Sequence, residues 1–149
     1  MKPLFAASLI LLATAALAGE AAAPAKLPAG HPGIDRKVDL GDVKVAKAVG
    51  ANAQTVAEIV AKRAELKDKP VLVRGKVVKF NPEIMGKNWV HLRDGSGSAT
   101  DGSNDVLVTT IGLAKVGEVV TVQGIVRTDK DFGAGYAYQV LIEDATLKP

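Results

Sequence analysis

Apolar positions in this chain follow two periods. Across residues 55–67, Val56, Ile59, Val60, Arg63 and Ala64 fall at i, i+3, i+4, i+7 and i+8, four of them apolar, which makes one narrow stripe on an α-helix. Thr55-Val56-Ala57-Glu58 opens it as a capping box, with the Thr hydroxyl accepting from the third helical amide and Glu58 reaching back. Pro70 closes it, because the residue before a proline disfavours helical backbone. From Val71 onward the period becomes two, the spacing of strands with one buried face. Strands are expected at residues 71–80, 88–93, 105–110, 118–127 and 136–143, with loops at 81–86, 94–104, 111–117 and 128–135. Asn81-Pro82 and Asp94-Gly95-Ser96-Gly97-Ser98 are the turn signals of the first two loops.

Gly75 and Gly124 interrupt the first and fourth strands, as glycine does where a strand bulges or bends to serve two sheets. Five short strands with such bends predict a small closed barrel, with the helix on one of its mouths. Closure also removes the edges that Val-rich strands would otherwise offer to other chains. The inward set reads as Val71, Val73, Val77, Val90, Leu92, Val106, Val108, Val120, Val122, Val126, Val140 and Ile142. At about 1.5–3 kcal/mol per buried aliphatic side chain, this set can hold one domain together.

The segment before the helix has neither period. Lys2, an apolar run from Leu4 to Leu17 and Ala16-Leu17-Ala18 form a secretory signal peptide over residues 1–18. Residues 19–53 are rich in Ala, Pro and Gly at first and read as a flexible leader, with a short strand near Val43 to Val45 as the one exception. The folded domain is then 54–149, periplasmic or secreted and monomeric, with no membrane span once the signal is removed. The formal charge of the whole chain is +3, which is mild for a protein committed to duplex DNA. The chain has no cysteine, which excludes disulfides, thiolate metal sites and cysteine nucleophiles.

The polar faces of the first two strands carry the candidate chemistry. Arg74, Lys76, Trp89, His91 and Arg93 fall on one side of this hairpin, and Trp89 is the only tryptophan. A base could stack on the indole while the cations track phosphate. The runs RGKVVKF, GKNWVHLRDGSG and VGEVVTVQGIV resemble the OB-fold of nucleic-acid-binding proteins, a five-stranded Greek-key barrel. The LRDGSG turn is similar to the anticodon-binding OB domain of class II aminoacyl-tRNA synthetases. Residues 55–149, with DKDFGAGYAY, resemble a family of exported bacterial proteins of unknown function, described only as OB-fold, nucleic-acid- or nucleotide-binding. Members stand beside multihaem cytochrome genes in some genomes. The resemblance implies a ligand face made of the outward side of strands 1–3 and the loops after strands 1 and 4. Its residues would be Arg74, Lys76, Lys79, Phe80, Lys87, Trp89, His91 and Arg93, with Phe132, Tyr136 and Tyr138 at the rim. The expected ligand is single-stranded nucleic acid or a nucleotide. The alternative is an accessory protein docking on a redox (multihaem cytochrome) or other envelope partner through the same face.

Other chemistries find little support. His31, Met85 and His91 have no metal-ligand spacing. Asp94, Ser96, Ser98, Thr100 and Asp105 approach a calcium-loop spacing, but Ala99 stands where that loop needs Gly and Asp105 where it needs Glu. There is no Ser-His-Asp pattern, phosphate loop or HExxH motif. No enzyme activity, cofactor or metal is expected.

Overall fold

The structure is a computed structural model and describes residues 40–149. The expected signal peptide and the first part of the expected leader lie outside the described residues. Helices α1 (Val56–Ala61) and α2 (Arg63–Leu66) precede five strands: β1 (Pro70–Ile84), β2 (Lys87–Arg93), β3 (Val106–Thr110), β4 (Val119–Asp131) and β5 (Ala137–Lys148). The strands close into a ring in the order β1-β2-β3-β5-β4, with β4 pairing back on β1. All pairs are antiparallel except β3 with β5. The fold is mainly β and barrel-like. Among the described residues no helix is long and apolar enough to cross a membrane.

Alternation decides what fills the ring. Val71, Val73, Val77, Val90, Leu92, Val106, Val108, Val120, Val122, Val126 and Ile142 are buried together, and Val140 packs half-buried against them. At Gly75 β1 passes from pairing with β4 alone to pairing with β2 as well, since the β2 pairing begins at Lys76. A Cβ there would lie 2.7 Å from Leu92 Cγ and 2.8 Å from the Arg93 carbonyl oxygen, so only glycine permits the bend. β4 shifts register against β5 between Gln123 and Ile125, around the second glycine.

The helix departs from one continuous turn set. Its start is as expected: the Glu58 amide donates to Thr55 Oγ1 (3.1 Å) and the Thr55 amide to Glu58 Oε2 (2.7 Å). It then breaks at Lys62. Val56 and Ile59 are fully buried in the core, and after the break Leu66, rather than Arg63 or Ala64, reaches it.

Two hairpins are longer than the alternation indicated. β1 runs on to Ile84, with Pro82 inside a register shift between Asn81 and Ile84, where its missing N–H interrupts no regular ladder. The turn is Met85-Gly86, both with positive φ (53° and 73°), the backbone of a two-residue hairpin that follows strand twist. β4 runs to Asp131 and pairs there with Ala137.

Residues 40–53, read as leader, lie along the barrel instead. The Leu72 amide donates to the Asn52 carbonyl and the Gln54 amide to the Leu72 carbonyl, both at 2.9 Å. Residues 52–54 thus occupy the edge of β1 that β2 does not reach. No strand forms at Val43 to Val45, but the Val45 amide donates to the Asp94 carbonyl (2.9 Å).

Candidate functional site

Cross-strand register places the expected cations together. Lys76 faces Arg93 and Lys79 faces His91 across β1 and β2, and Asn81 faces Trp89 next along. Arg74, Lys76, Lys79, His91 and Arg93 therefore share one outer face. The register shift between Val77 and Lys79 changes the parity of β1. Lys79 turns out and Phe80 turns in, where it packs half-buried on the barrel core. Phe80 is thus not part of the outer face.

Asp105, just before β3, divides the cations. Its carboxylate accepts from Arg93 Nε (3.0 Å) and pairs with His91 Nδ1 (2.7 Å). Burial pushes the Asp105 carboxyl up, but the bonds and charges of His91 and Arg93 outweigh it and hold the group below the usual carboxylate range. Lys76 Nζ donates to the Leu40 carbonyl (3.3 Å) and, among the described residues, makes no ion pair. Among the described residues Arg74 and Lys79 make no ion pair, so Arg74, Lys76 and Lys79 carry the net positive field of this strip. Lys87 stands apart from it, 3.5 Å from Asp144 of β5.

Trp89 is not a free stacking platform. It lies on the outer face but is only 3% exposed. Beneath it are Leu107 and Leu141, which face each other in the parallel β3–β5 register. Over it close the tips of the two long hairpins. Ile84 accepts from the indole Nε1 (2.8 Å) through its carbonyl, and the rings of Phe132, Tyr138 and Tyr136 stand at centroid distances of 5.1, 5.7 and 6.0 Å. These tilted and edge-on contacts suit the ring quadrupoles. Phe132, Tyr136 and Tyr138 are half-buried, so the aromatic surface at this end of the strip is theirs, with Trp89 as its backing. Burial pushes the Tyr138 phenol up from its ordinary value.

The Asp94-Gly95-Ser96 turn is committed to structure. Asp94 Oδ2 accepts from the Val56 amide (2.9 Å), Oδ1 accepts from the Ser96 amide (2.9 Å), and Ser96 Oγ accepts from the Ala57 amide (3.0 Å). With Thr55 on the Glu58 amide, the first amides of α1 are met by side chains, two of them from the loop after β2. Gly95 has φ +92°, and a Cβ there would sit 2.2 Å from the Val43 carbonyl oxygen. The turn therefore clasps both α1 and the segment before it. The rest of the loop closes on itself through Ser98, Asp101 and Ser103. Among the described residues no cluster of three His, Cys, Asp or Glu side chains could hold a metal ion.

Comparison with protein-family models and with curated proteins gave no match. The site's chemistry therefore rests on its geometry. Sequence alternation could have flagged Leu107 and Leu141 as large apolar residues on the outward positions of their strands, but not the hairpin tips that bury them.

Proposed function

We propose that this chain is an exported OB-fold module that binds an extended anionic ligand, single-stranded nucleic acid or a nucleotide, on the outer face of β1 and β2. The ring order β1-β2-β3-β5-β4 with one parallel pair supports the OB-fold reading. The helix precedes β1 here, and no helix stands between β3 and β4. Export rests on the features of residues 1–18. Intact-mass measurement of the periplasmic protein would show loss of those residues.

One observation carries the ligand reading: Arg74, Lys76 and Lys79 line one outer face that runs into the half-buried Phe132, Tyr136 and Tyr138. Cations spaced along a strand track phosphates, and rings at their end offer faces to bases. The test is fluorescence anisotropy with a labelled oligothymidylate over a salt series. Binding should weaken with salt, and the Arg74→Ala/Lys79→Ala pair should reduce the log–log salt slope by about 1.4, two single-strand phosphate contacts. No binding at low salt, or an unchanged slope, would overturn the reading.

The second reading, an accessory protein docking on a redox or other envelope partner, draws on a different feature. Ile111 and Leu113, in the link between β3 and β4, are 88% and 83% exposed. Large apolar side chains in water mark contact surfaces when they cluster. Under this reading, co-purification of a multihaem cytochrome would survive Arg74→Ala/Lys79→Ala and be lost with Ile111→Ser/Leu113→Ser.

A further inference from the structure

Three of the five large apolar side chains exposed among the described residues lie in two segments that one side chain ties together. Met85 is in the β1–β2 turn, and Ile111 and Leu113 are in the link from β3 to β4. The tie is Asn88. Its Oδ1 accepts from the Glu83 amide (3.1 Å), and its Nδ2 donates to the Gly112 carbonyl (2.9 Å). The Gly112 amide donates to Thr110 Oγ1 (3.0 Å), and that hydroxyl donates to the Ala145 carbonyl (2.6 Å). A Cβ on Gly112 would lie 3.7 Å from Leu147 Cγ, so Gly112 faces the barrel and its two neighbours face away. Asn88 and Thr110 are buried, and fully paired buried bonds of this kind fix geometry. Ile111 and Leu113 are therefore held out in water in a set position, unable to fold back on the barrel.

The charges beside them are balanced. Lys87 and Asp144, 3.5 Å apart, border Ile111. Lys115 follows Leu113 by two residues, and its amide donates to Glu118 Oε2 (3.1 Å). One basic and one acidic side chain thus flank each apolar residue. A polyanion, an anionic lipid surface or a partner of strong single charge gains no net attraction there. A second copy of the same surface does. Turned by a two-fold axis between Ile111 and Leu113, it sets apolar against apolar and each mixed pair against the other, with Lys over acid.

We infer that this end of the barrel is a self-association surface, on which Ile111 of one copy packs against Leu113 of the second copy and Met85 seals the edge. The occupant of the surface that the second reading gives to an envelope partner is then another copy of this chain, in place of the monomer expected from the sequence. The contact is small, below about 1,200 Å² in total, so the dimer is weak and forms on the order of tens of micromolar. It shares no residue with Arg74, Lys76 and Lys79, so it and the anionic-ligand reading can each fail without the other.

The experiment is sedimentation velocity of the chain as recovered from the periplasm, over roughly 5–500 µM. The wild type should shift from monomer toward dimer across this range. Ile111→Ser/Leu113→Ser should stay monomeric throughout, with Tm at low concentration unchanged, since both side chains are in water in the monomer. Lys115→Glu should weaken the dimer several-fold by setting like charges face to face. Arg74→Ala/Lys79→Ala should leave it unchanged. Amide shifts on dilution of the ¹⁵N-labelled protein should be confined to Met85, Ile111, Leu113 and their neighbours. A monomer at every concentration would overturn the inference, and so would a dimer that survives Ile111→Ser/Leu113→Ser. Capture of a cytochrome, or co-sedimentation with phosphatidylglycerol vesicles, by a chain that stays monomeric would give the surface to that partner instead.

Discussion

Replacing Asp94 with alanine should unfasten the helix from the barrel. The Asp94 carboxylate is 5% exposed and accepts from three groups: the Val56 amide, the Ser96 amide and the Ser96 hydroxyl. Val56 is fully buried, so its amide would be left with no water to replace the lost acceptor. An orphaned buried donor costs about 1–3 kcal/mol. Loss of a side-chain cap at a helix start costs about 1 kcal/mol. The Ser96 groups are half-buried and water can meet them, so they add little. The two larger costs overlap, because the cap bond is the bond to Val56, and the expected loss is about 2–3 kcal/mol. At a few degrees per kcal/mol for a domain of this size, Tm should fall on the order of 10 °C. Asp94→Asn keeps an oxygen acceptor and should lose roughly half as much. Urea unfolding followed by circular dichroism gives the stability difference, and amide hydrogen exchange locates it at Val56 and Ala57. A loss under about 1 kcal/mol would refute the clasp. So would undiminished protection of the Val56 amide in the alanine variant.

Trp89→Ala should destabilise by about 3–5 kcal/mol, the cost of a large cavity in a packed cluster, measured by the same urea unfolding. If it instead folds with normal stability, Trp89 is not the pin between the two hairpins. Gly95→Ala should cost about 1–3 kcal/mol through its positive φ and should loosen the residues around Val43, read as faster exchange of the Val45 amide. The Lys47 ammonium on Glu58, with the Thr55 amide, lowers the Glu58 carboxyl to about 2. Because the folded value is depressed, its stabilisation is present above the ordinary value of 4.5 and fades as pH falls toward 2. Solvent reaches a third of this side chain and screens the interactions, so Glu58→Gln should remove only about 1 kcal/mol of acid-sensitive stability. Stability curves of the two proteins should converge near pH 2 and separate above pH 4.5; parallel curves would refute the assignment.

What was legible in the chain was what is local. Thr55 and Glu58 are one turn apart, so the helix start could be read from spacing, and alternation within each strand identified the inward valines. Lys76, His91 and Arg93 could be placed on one face because strand parity needs no partner, but the shift after Val77 brought Lys79 onto that face and took Phe80 to the other side. What was illegible depended on distance. The burial of Trp89 is set by Leu107, Leu141 and two hairpin tips, each from another part of the chain. Asp94 reads as a turn residue, and it is one; its service to an amide 38 positions earlier leaves no mark in its neighbours. Residues 52–54 pair through backbone alone, which places no demand on side-chain period. The one extra residue of β5 opposite Val108 to Thr110 is likewise a matter of how β3 and β5 meet.

The ring order has a kinetic consequence. β1 cannot complete its pairing until β4 has been made, and β3 finds its parallel neighbour only in the last strand of the chain. Most contacts that reward folding are thus remote in sequence, which places refolding in the millisecond-to-second range rather than the microseconds of helical bundles. A chain shortened by β5 would leave β3 and β4 with open hydrogen-bonding groups at once, and should stay soluble poorly rather than fold partially.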